Sequence, residues 1–205
     1  MKAFDVLIIG GGAAGMSCAL VLGSAHKRDY LDDKTTGLIV HQKASHLQNA
    51  LFNNVLGIDP NTTGAFILEQ GKSQLNTLYP HIEQLDKEKV LGIEDNGDGF
   101  IVKTNRSEHS AKIVVVAVGY TNLLTISGLE HYIEPHPRAV PEKNRIWLKN
   151  QDHLIKANLY VAGTLAGWRS QFAMASGSGA HVATDILTLW NGGTHTKVHD
   201  KIATS

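Results

Sequence analysis

Three glycines near the start of the chain have the spacing of a phosphate-binding turn. Gly10, Gly12 and Gly15 follow an apolar run at residues 4–9 and precede small and apolar residues at 13–24. In a strand–turn–helix unit, the first glycine permits the tight turn, the second lets a pyrophosphate approach the backbone, and the third lets helix and strand pack closely. The helix N-terminus offers N–H groups and a partial positive charge to phosphates. The motif predicts a nucleotide and leaves FAD, NAD(P) and S-adenosylmethionine open; a glycine turn without a ligand is the alternative.

The end of the second strand is the next chemical marker of such a unit. That strand commonly ends on an acidic residue that holds the ribose hydroxyls. Here the predicted strand at residues 38–40 is followed by His41 and Gln42, whereas Asp32 and Asp33 precede it in a polar loop. The missing carboxylate weakens the NAD interpretation and leaves His41 or Gln42 as the candidate contact.

Other reactive side chains give weaker signals. Cys18 is the one cysteine, so neither an internal disulfide nor a CxxC redox pair can form, and its place on the first predicted helix favours core packing. His195 and His199 are four residues apart, which would suit a metal ion on a helix face. They lie in a polar tail with no third ligand nearby in the sequence. We therefore predict a solvated tail and no metal site.

The surrounding pattern is typical of an α/β protein with a parallel sheet. Short apolar runs predict buried strands, longer periodic or small-residue runs predict helices, and DNGD predicts a hairpin turn. The predicted strands are 4–9, 38–40, 90–94, 99–103, 111–119 and 158–163, and the predicted helices are 13–24, 63–78 and about 170–190. Residues 130–142 contain three prolines, which predict irregular structure. This order inserts a β-meander between parallel strands.

Composition bounds the class of protein. The 205 residues are 42% hydrophobic and 19% charged, with a formal net charge of zero, which gives no electrostatic footprint for nucleic acid or an anionic membrane. A chain of this length normally forms one domain. The apolar run over residues 6–23 is interrupted by three consecutive glycines, so it predicts a buried strand and helix and not a membrane span. A cytoplasmic location is expected.

Three further segments carry motifs in a fixed order. They are NNVLG at residues 53–57, KVLGIEDNGDGFIVKT with the following AKIVVVAVG, and YVAGTLAGWRSQFAMASGSGAHVATDI. Together they resemble the FAD domain of thioredoxin reductases and related pyridine nucleotide-disulfide oxidoreductases. In that family the matching stretches are Glu-Asn-x-Pro-Gly, a meander and strand that end in Ala-Thr-Gly, and a closing Ala-Gly-Asp, Arg-Gln-Ala and small-residue helix. The resemblance covers nearly the whole chain.

The resemblance implies a three-layer, Rossmann-like FAD-binding domain, with helices on one face of the parallel sheet and the meander on the other. It also implies FAD as the cofactor. The implied cofactor-binding residues are Gly10, Gly12, Ala13, Ala14, Gly15, His41, Gln42, Asn54, Val90, Ala117, Gly119, Gly163, Thr164, Gln171, Phe172 and Ala173. Asn54 would approach the flavin side, and the helix after Gln171 would direct N–H groups at the pyrimidine edge of the flavin. An ordinary buried helix start would explain its small residues equally well, but not the order of the motifs.

Two departures from the family pattern bear on function. The family inserts an NAD(P)H domain where this chain has only residues 120–158, so we predict a single FAD-binding domain over residues 1–192 and a polar tail at 193–205. The family's Ala-Gly-Asp aspartate, which contacts the ribityl chain, is Thr164 here. Replacing this carboxylate and the ribose acid by neutral groups costs about 1–3 kcal/mol. That is about one to two powers of ten in affinity, which a ligand as large as FAD can tolerate.

The expected function is that of an FAD-dependent oxidoreductase that takes electrons from free NAD(P)H or from a redox partner protein. No side chain stands out as a catalytic acid, base or thiol. The alternative is a non-catalytic FAD or ADP-moiety binding protein that serves as a sensor or assembly subunit. Trp168 could cover an exposed flavin face, contact a substrate or pack at a subunit interface. An open flavin face also suggests a homodimer.

Overall fold

The computed structural model describes residues 1–41, 45–119 and 125–199, and these ranges contain three α-helices and twelve strands. The helices are α1 (Ala13–Ser24), α2 (Gly64–Leu78) and α3 (Phe172–Trp190). The strands are β1 (Lys2–Ile9), β2 (Thr36–Val40), β3 (Leu51–Phe52), β4 (Thr62–Thr63), β5 (Ile82–Asp86), β6 (Val90–Asp95), β7 (Phe100–Thr104), β8 (Glu108–Val116), β9 (Ile133–Pro135), β10 (Ile146–Leu148), β11 (Leu154–Lys156) and β12 (Leu159–Val161).

Five parallel strands in the order β5-β2-β1-β8-β12 form the centre of the main sheet, and β11 pairs antiparallel with β12 at one edge. β1 lies in the middle, where Val6 is opposite Thr36 of β2 and Ile113 of β8. Residues 4–9 of β1 are all buried. A strand with neighbours on both edges and a layer on each face is expected to be apolar, and five of these six residues are; Asp5 is the exception.

β8 takes part in two pairings along one edge. Its first half pairs antiparallel with β7, with Phe100 opposite Ala111, and its second half pairs parallel with β12, with Val161 opposite Val116. β6 and β7 form the predicted hairpin, which continues into β8 as a three-stranded meander. Because β1 pairs along the length of β8 on the other edge, the meander must leave the parallel sheet where β12 begins.

Helices cover one face of the sheet and the meander covers the other. On the helix face, Val6 and Ile8 of β1 pack in one core with residues of α1 and α3 and with Leu75 of α2. On the opposite face, Leu7 and Ile9 pack in a second core with residues of the meander. Successive residues of a strand point to opposite faces, so β1 contributes to both cores.

α1 and α3 are in close contact. A Cβ atom at Gly179 would lie 1.9 Å from the carbonyl oxygen of Ala14. The small residues of α3 therefore let its backbone approach the backbone of α1, which fixes the position of the two helix starts relative to each other.

The predicted fold class is confirmed: the protein is α/β, with a mostly parallel sheet, helices on one face and a β-meander on the other. The sequence prediction missed β3, β4, β5, β9, β10 and β11. The prediction that residues 130–142 are wholly irregular was wrong, because β9 lies in this range and pairs with β10 in a separate two-stranded sheet. Pro135 is tolerated in β9 since a short strand at a sheet edge does not need every N–H in its ladder. None of the helices in the described ranges is long and apolar enough to cross a membrane.

Candidate functional site

A cleft of about 400 Å³ opens at the carboxyl ends of the parallel strands, where β1, β2, β8 and β12 finish. This is the edge of an α/β sheet at which ligands are generally bound. Of the predicted site residues that the structure describes, eleven line the cleft: Gly10, Gly12, Ala13, Ala14, His41, Val90, Ala117, Gly119, Gly163, Thr164 and Phe172. The fold therefore brings together residues that are spread over most of the chain.

The remaining predicted site residues lie elsewhere. Gly15 is beneath the turn, where a Cβ atom would come within 1.8 Å of the carbonyl oxygen of Gly10, so its role is the close packing of helix on strand. Asn54 is on an exposed turn and does not line the cleft. Gln171 and Ala173 are exposed residues beside Phe172, and Gln42 lies outside the described residues.

Gly10 and Gly12 of the turn differ in whether the fold itself requires glycine at their positions. Gly10 has a φ of +117°, and a Cβ atom there would lie 2.5 Å from the carbonyl oxygen of Ala117. Gly12, the N-cap of α1, has a φ of −84°, and a Cβ atom there would meet no described atom within 4 Å. The absence of a side chain at Gly12 thus keeps the cleft open instead of relieving a contact within the protein.

The starts of α1 and α3 both face the cleft. Neither helix has a side-chain cap at its N-terminus or an acidic residue in its first turn. Gly12 and Ala13 of α1 and Phe172 and Ala175 of α3 line the cleft. Ala175 does so where Ala173 does not, because residues three apart share a helix face. The two helix dipoles present partial positive charge to one volume.

Glu88, which the sequence analysis missed, lines the cleft just before β6. Its Oε2 accepts hydrogen bonds from the Thr104 hydroxyl at 2.8 Å and the Ser107 hydroxyl at 3.2 Å, and it lies 2.9 Å from His109 Nε2. Burial raises the pKa of Glu88, but the contacts with His109, Thr104 and Ser107 together lower it below its ordinary value. The carboxylate is therefore charged at neutral pH. Nothing in the local pattern marks it, since its partners come from the far end of the hairpin.

The turn after β12 is held from two sides. The Gly163 N–H donates to the Ser178 Oγ of α3 at 2.7 Å, and His136 Nε2 lies 3.0 Å from the carbonyl oxygen of Thr164. Gly163 has a φ of +77°, which favours glycine. These contacts fix the direction in which the chain passes the cleft at the position of the family's aspartate.

Four side chains singled out in the sequence lie away from the cleft. Cys18 is buried in the helix-face core, and burial raises the pKa of its thiol. Trp168 packs beside the meander-face core, with its ring 5.1 Å from that of His153. His195 and His199 are exposed, and residues 194–199 are not helical, so the helical arrangement of the two imidazoles does not form.

Comparison with protein families places the chain among redox proteins. The model of the family described as pyridine nucleotide-disulphide oxidoreductase matches residues 4–167. A ferredoxin–NADP reductase of Streptococcus pyogenes serotype M28 is 28% identical over 118 residues, which cover 58% of this chain and 35% of the relative. A ferredoxin–NADP reductase of serotype M3 is 27% identical over the same shares. The matched part thus spans about a third of the length of these curated relatives.

Solved structures share the fold at low sequence identity. A thioredoxin reductase from Gloeobacter violaceus superimposes with a TM-score of 0.70 at 14% identity, covering 99% of this chain and 100% of that chain. The atypical thioredoxin reductase TRi from Desulfovibrio vulgaris Hildenborough gives 0.69 at 16% identity, covering 93% and 99%. A ferredoxin-flavin thioredoxin reductase from Clostridium acetobutylicum gives 0.68 at 16% identity, with the same shares.

Proposed function

The chain belongs to the pyridine nucleotide-disulphide oxidoreductase family, as its motifs predict, and on this premise we propose that it is an FAD-dependent oxidoreductase. FAD would occupy the cleft at the carboxyl ends of the parallel strands. Electrons would come from free NAD(P)H or from a redox partner protein.

The observation that carries the proposal is the open space at Gly12. A Cβ atom there would touch no described atom within 4 Å, and the backbone conformation is one that any residue adopts. The fold itself does not require glycine at this position, whereas a pyrophosphate lying against the backbone does. A cleft of about 400 Å³ is within the range of sites that hold small cofactors. The residues present therefore fit a dinucleotide.

The two uncapped helix starts suggest which part of FAD each group of cleft residues would bind. The N–H groups at the start of α1 would bind the pyrophosphate, and those at the start of α3 would face the pyrimidine edge of the flavin. His41 and Val90 would lie near the adenosine, and Thr164 near the ribityl chain. Bound FAD supplies the redox chemistry, and the protein supplies position and electrostatics.

The segment between β8 and β12 bears on the electron donor. Among its described residues, 117–119 and 125–158, the regular elements are β9, β10, β11 and short 3-10 turns, with no parallel βαβ unit. We therefore propose that the donor reaches the flavin from outside this segment. The relatives' names pair this fold with NADP, ferredoxin and thioredoxin, which supports NAD(P)H or a small redox protein as the candidate.

Anaerobic reduction of the FAD-reconstituted protein tests the proposal. We expect NADH, NADPH or a reduced ferredoxin to bleach the flavin absorbance. With an artificial electron acceptor present, the same donor should support repeated turnovers. Dithionite defines the absorbance of the fully reduced flavin. A protein that binds FAD but is reduced only by dithionite would contradict the oxidoreductase proposal and favour the sensor or assembly subunit. A variant that retains the fold but loses FAD, Gly12→Asp, controls for reduction by free flavin.

A further inference from the structure

Four side chains on the helix side of the sheet form a second polar cluster away from the cleft. Asp152 and His153 precede β11, and His181 and Asp185 lie one turn apart on α3. We call these four residues the His153–His181 cluster. We propose that this cluster binds a divalent transition-metal cation, with Zn²⁺ as the best fit to two imidazoles and one or two carboxylates.

Three distances within the cluster are close to the edge of a tetrahedral site. Asp152 Oδ1 lies 3.6 Å from His153 Nδ1 and 3.5 Å from His181 Nε2. His181 Nε2 lies 3.3 Å from Asp185 Oδ2. Ligand atoms placed about 2.0–2.1 Å from a central zinc ion at tetrahedral angles are about 3.3–3.4 Å apart. The candidate ligand atoms of Asp152, His153 and His181 all lie within 4.8 Å of one another.

The two imidazole nitrogens have carboxylate neighbours but no hydrogen bonds to them. His153 Nδ1 and His181 Nε2 are buried atoms without a hydrogen-bond partner among the described residues. The side chain of His153 is 1% exposed. A buried nitrogen without a partner is costly, and in a hydrogen bond the donor points directly at its acceptor. A cation bound in the cluster would supply the partner that both nitrogens lack.

The other nitrogen of His153 is already held. His153 Nε2 lies 2.8 Å from the Ser178 Oγ, which also accepts the N–H of Gly163. When Nε2–H donates to that oxygen, the lone pair of Nδ1 faces the cluster. Metal-binding histidines are commonly oriented in this way by a hydrogen bond from the second nitrogen. The imidazole rings of His153 and His181 are stacked with centroids 4.8 Å apart, which brings the second ligand beside the first.

The backbone that carries two of the proposed ligands is unusual. Asp152 and His153 have φ values of +47° and +72°, a region that L-residues with side chains seldom occupy. A cation bound to all four side chains would hold this turn against α3. The expected consequence is a protein that is more stable when loaded than when metal-free.

Zinc binding by the full-length chain tests the proposal. The EDTA-treated protein is titrated with Zn²⁺ against a chromophoric chelator, and thermal unfolding is recorded with and without Zn²⁺. His181→Gln and Asp185→Asn remove partly exposed ligands, and His81→Gln is the matched control, an exposed histidine whose ring lies 5.0 Å from that of His26. Circular dichroism of the metal-free variants verifies that each is folded.

We expect one Zn²⁺ per chain, at least ten-fold weaker binding in His181→Gln and Asp185→Asn, and unchanged binding in His81→Gln. Zn²⁺ should raise the Tm of the wild type and the control but not of the two ligand variants, and Co²⁺ should give the visible bands of a tetrahedral complex. No stoichiometric binding by the wild type would overturn the proposal. So would binding that survives both ligand substitutions, or that is lost only in His195→Gln, which would assign the metal to the tail.

Discussion

α1 and α2 each have a glycine at their start, Gly12 as the N-cap of α1 and Gly64 as the first residue of α2, but the two starts differ. At the start of α2, the Thr63 Oγ1 accepts the N–H of Phe66 at 3.3 Å, and a Cβ atom at Gly64 would lie 1.9 Å from the carbonyl oxygen of Leu47. At the start of α1 no side chain caps the helix, and Gly12 faces open space. One helix start is closed by the protein's own chain, and the other is left open.

This difference shows that a glycine at a helix start must be interpreted together with the presence or absence of a side-chain cap. Helices leave N–H groups without partners at their N-termini, and globular proteins usually supply those partners from nearby side chains. α2 follows this rule. α1 and α3 have no side-chain cap, and both begin at the same cleft. Missing caps at two helices that converge on one cleft are more informative than a glycine motif alone.

The largest expected effect comes from adding one methyl group to each glycine. Gly64→Ala should lower the free energy of unfolding by about 3 kcal/mol, because the new Cβ atom collides with backbone and not with a movable side chain. Gly12→Ala should change it by less than about 1 kcal/mol, since the position is open. Chemical denaturation of the two ligand-free variants measures the difference. Equal destabilisation would mean that both glycines serve packing.

Introducing a carboxylate at each helix start sharpens the comparison. Gly12→Asp should weaken FAD binding at least about 30-fold, or about 2 kcal/mol, because the new charge lies where the pyrophosphate would bind. Thr63→Asp is the matched control, since aspartate retains a cap and adds the same charge away from the cleft. Titration of both variants with FAD checks this. A similar loss in both, or in neither, would contradict a phosphate site at α1.

Removing the cap of α2 should affect stability alone. Thr63→Ala deletes the acceptor for the Phe66 N–H, and loss of an N-cap side chain costs about 1 kcal/mol. The affinity for FAD should not change, because Thr63 does not line the cleft. Denaturation and FAD titration of the same preparation separate the two effects. A loss of affinity would show that the start of α2 contributes to the site.

The smallest expected change in stability concerns Asp5, which lies in β1 near the end of the strand that is remote from the glycine turn. Asp5 accepts hydrogen bonds from the Thr35 N–H at 3.0 Å and from the Lys112 ammonium at 2.9 Å. Burial raises its pKa, but the contacts with Thr35 and Lys112 outweigh this, and the net pKa is lowered. Its contribution to stability is present above the unfolded pKa of about 3.9. It is lost as the pH falls through the lower folded value.

Asp5→Asn should therefore be less stable than the wild type by about 0.5 kcal/mol at neutral pH, the scale of an ion pair with an exposed lysine. The gap should close in acid, where the wild-type carboxyl is protonated. Denaturation of both proteins across this pH range measures the gap. A gap that widens on acidification would contradict the lowered pKa. FAD affinity at neutral pH should be the same in both proteins.

Local features of the fold were predictable from sequence. The glycine turn, α1 and the hairpin depend on contacts within a few residues, so spacing and turn chemistry specify them. β5 was missed because it is an edge strand with a half-exposed face, and IEQLD lacks the unbroken apolar run of a central strand. β9 and β10 pair only with each other and are too short to produce a periodic pattern.

Features that depend on distant residues were not predictable. Glu88 enters the cleft because the meander folds across the sheet, and Ala175 enters through the helical turn after Phe172. The His153–His181 cluster joins a turn to a helix far along the chain. The four-residue spacing of His181 and Asp185 is its one local signal, and that spacing is common on solvated helices.

The visible absorption spectrum of the freshly purified chain tests the central claim most directly, with heat release and identification of any chromophore. We predict flavin bands, and FAD in the supernatant at about one per chain, or the same bands after incubation with FAD and removal of the excess. A colourless protein that takes up no FAD would contradict the account, because the open start of α1 would then hold no dinucleotide.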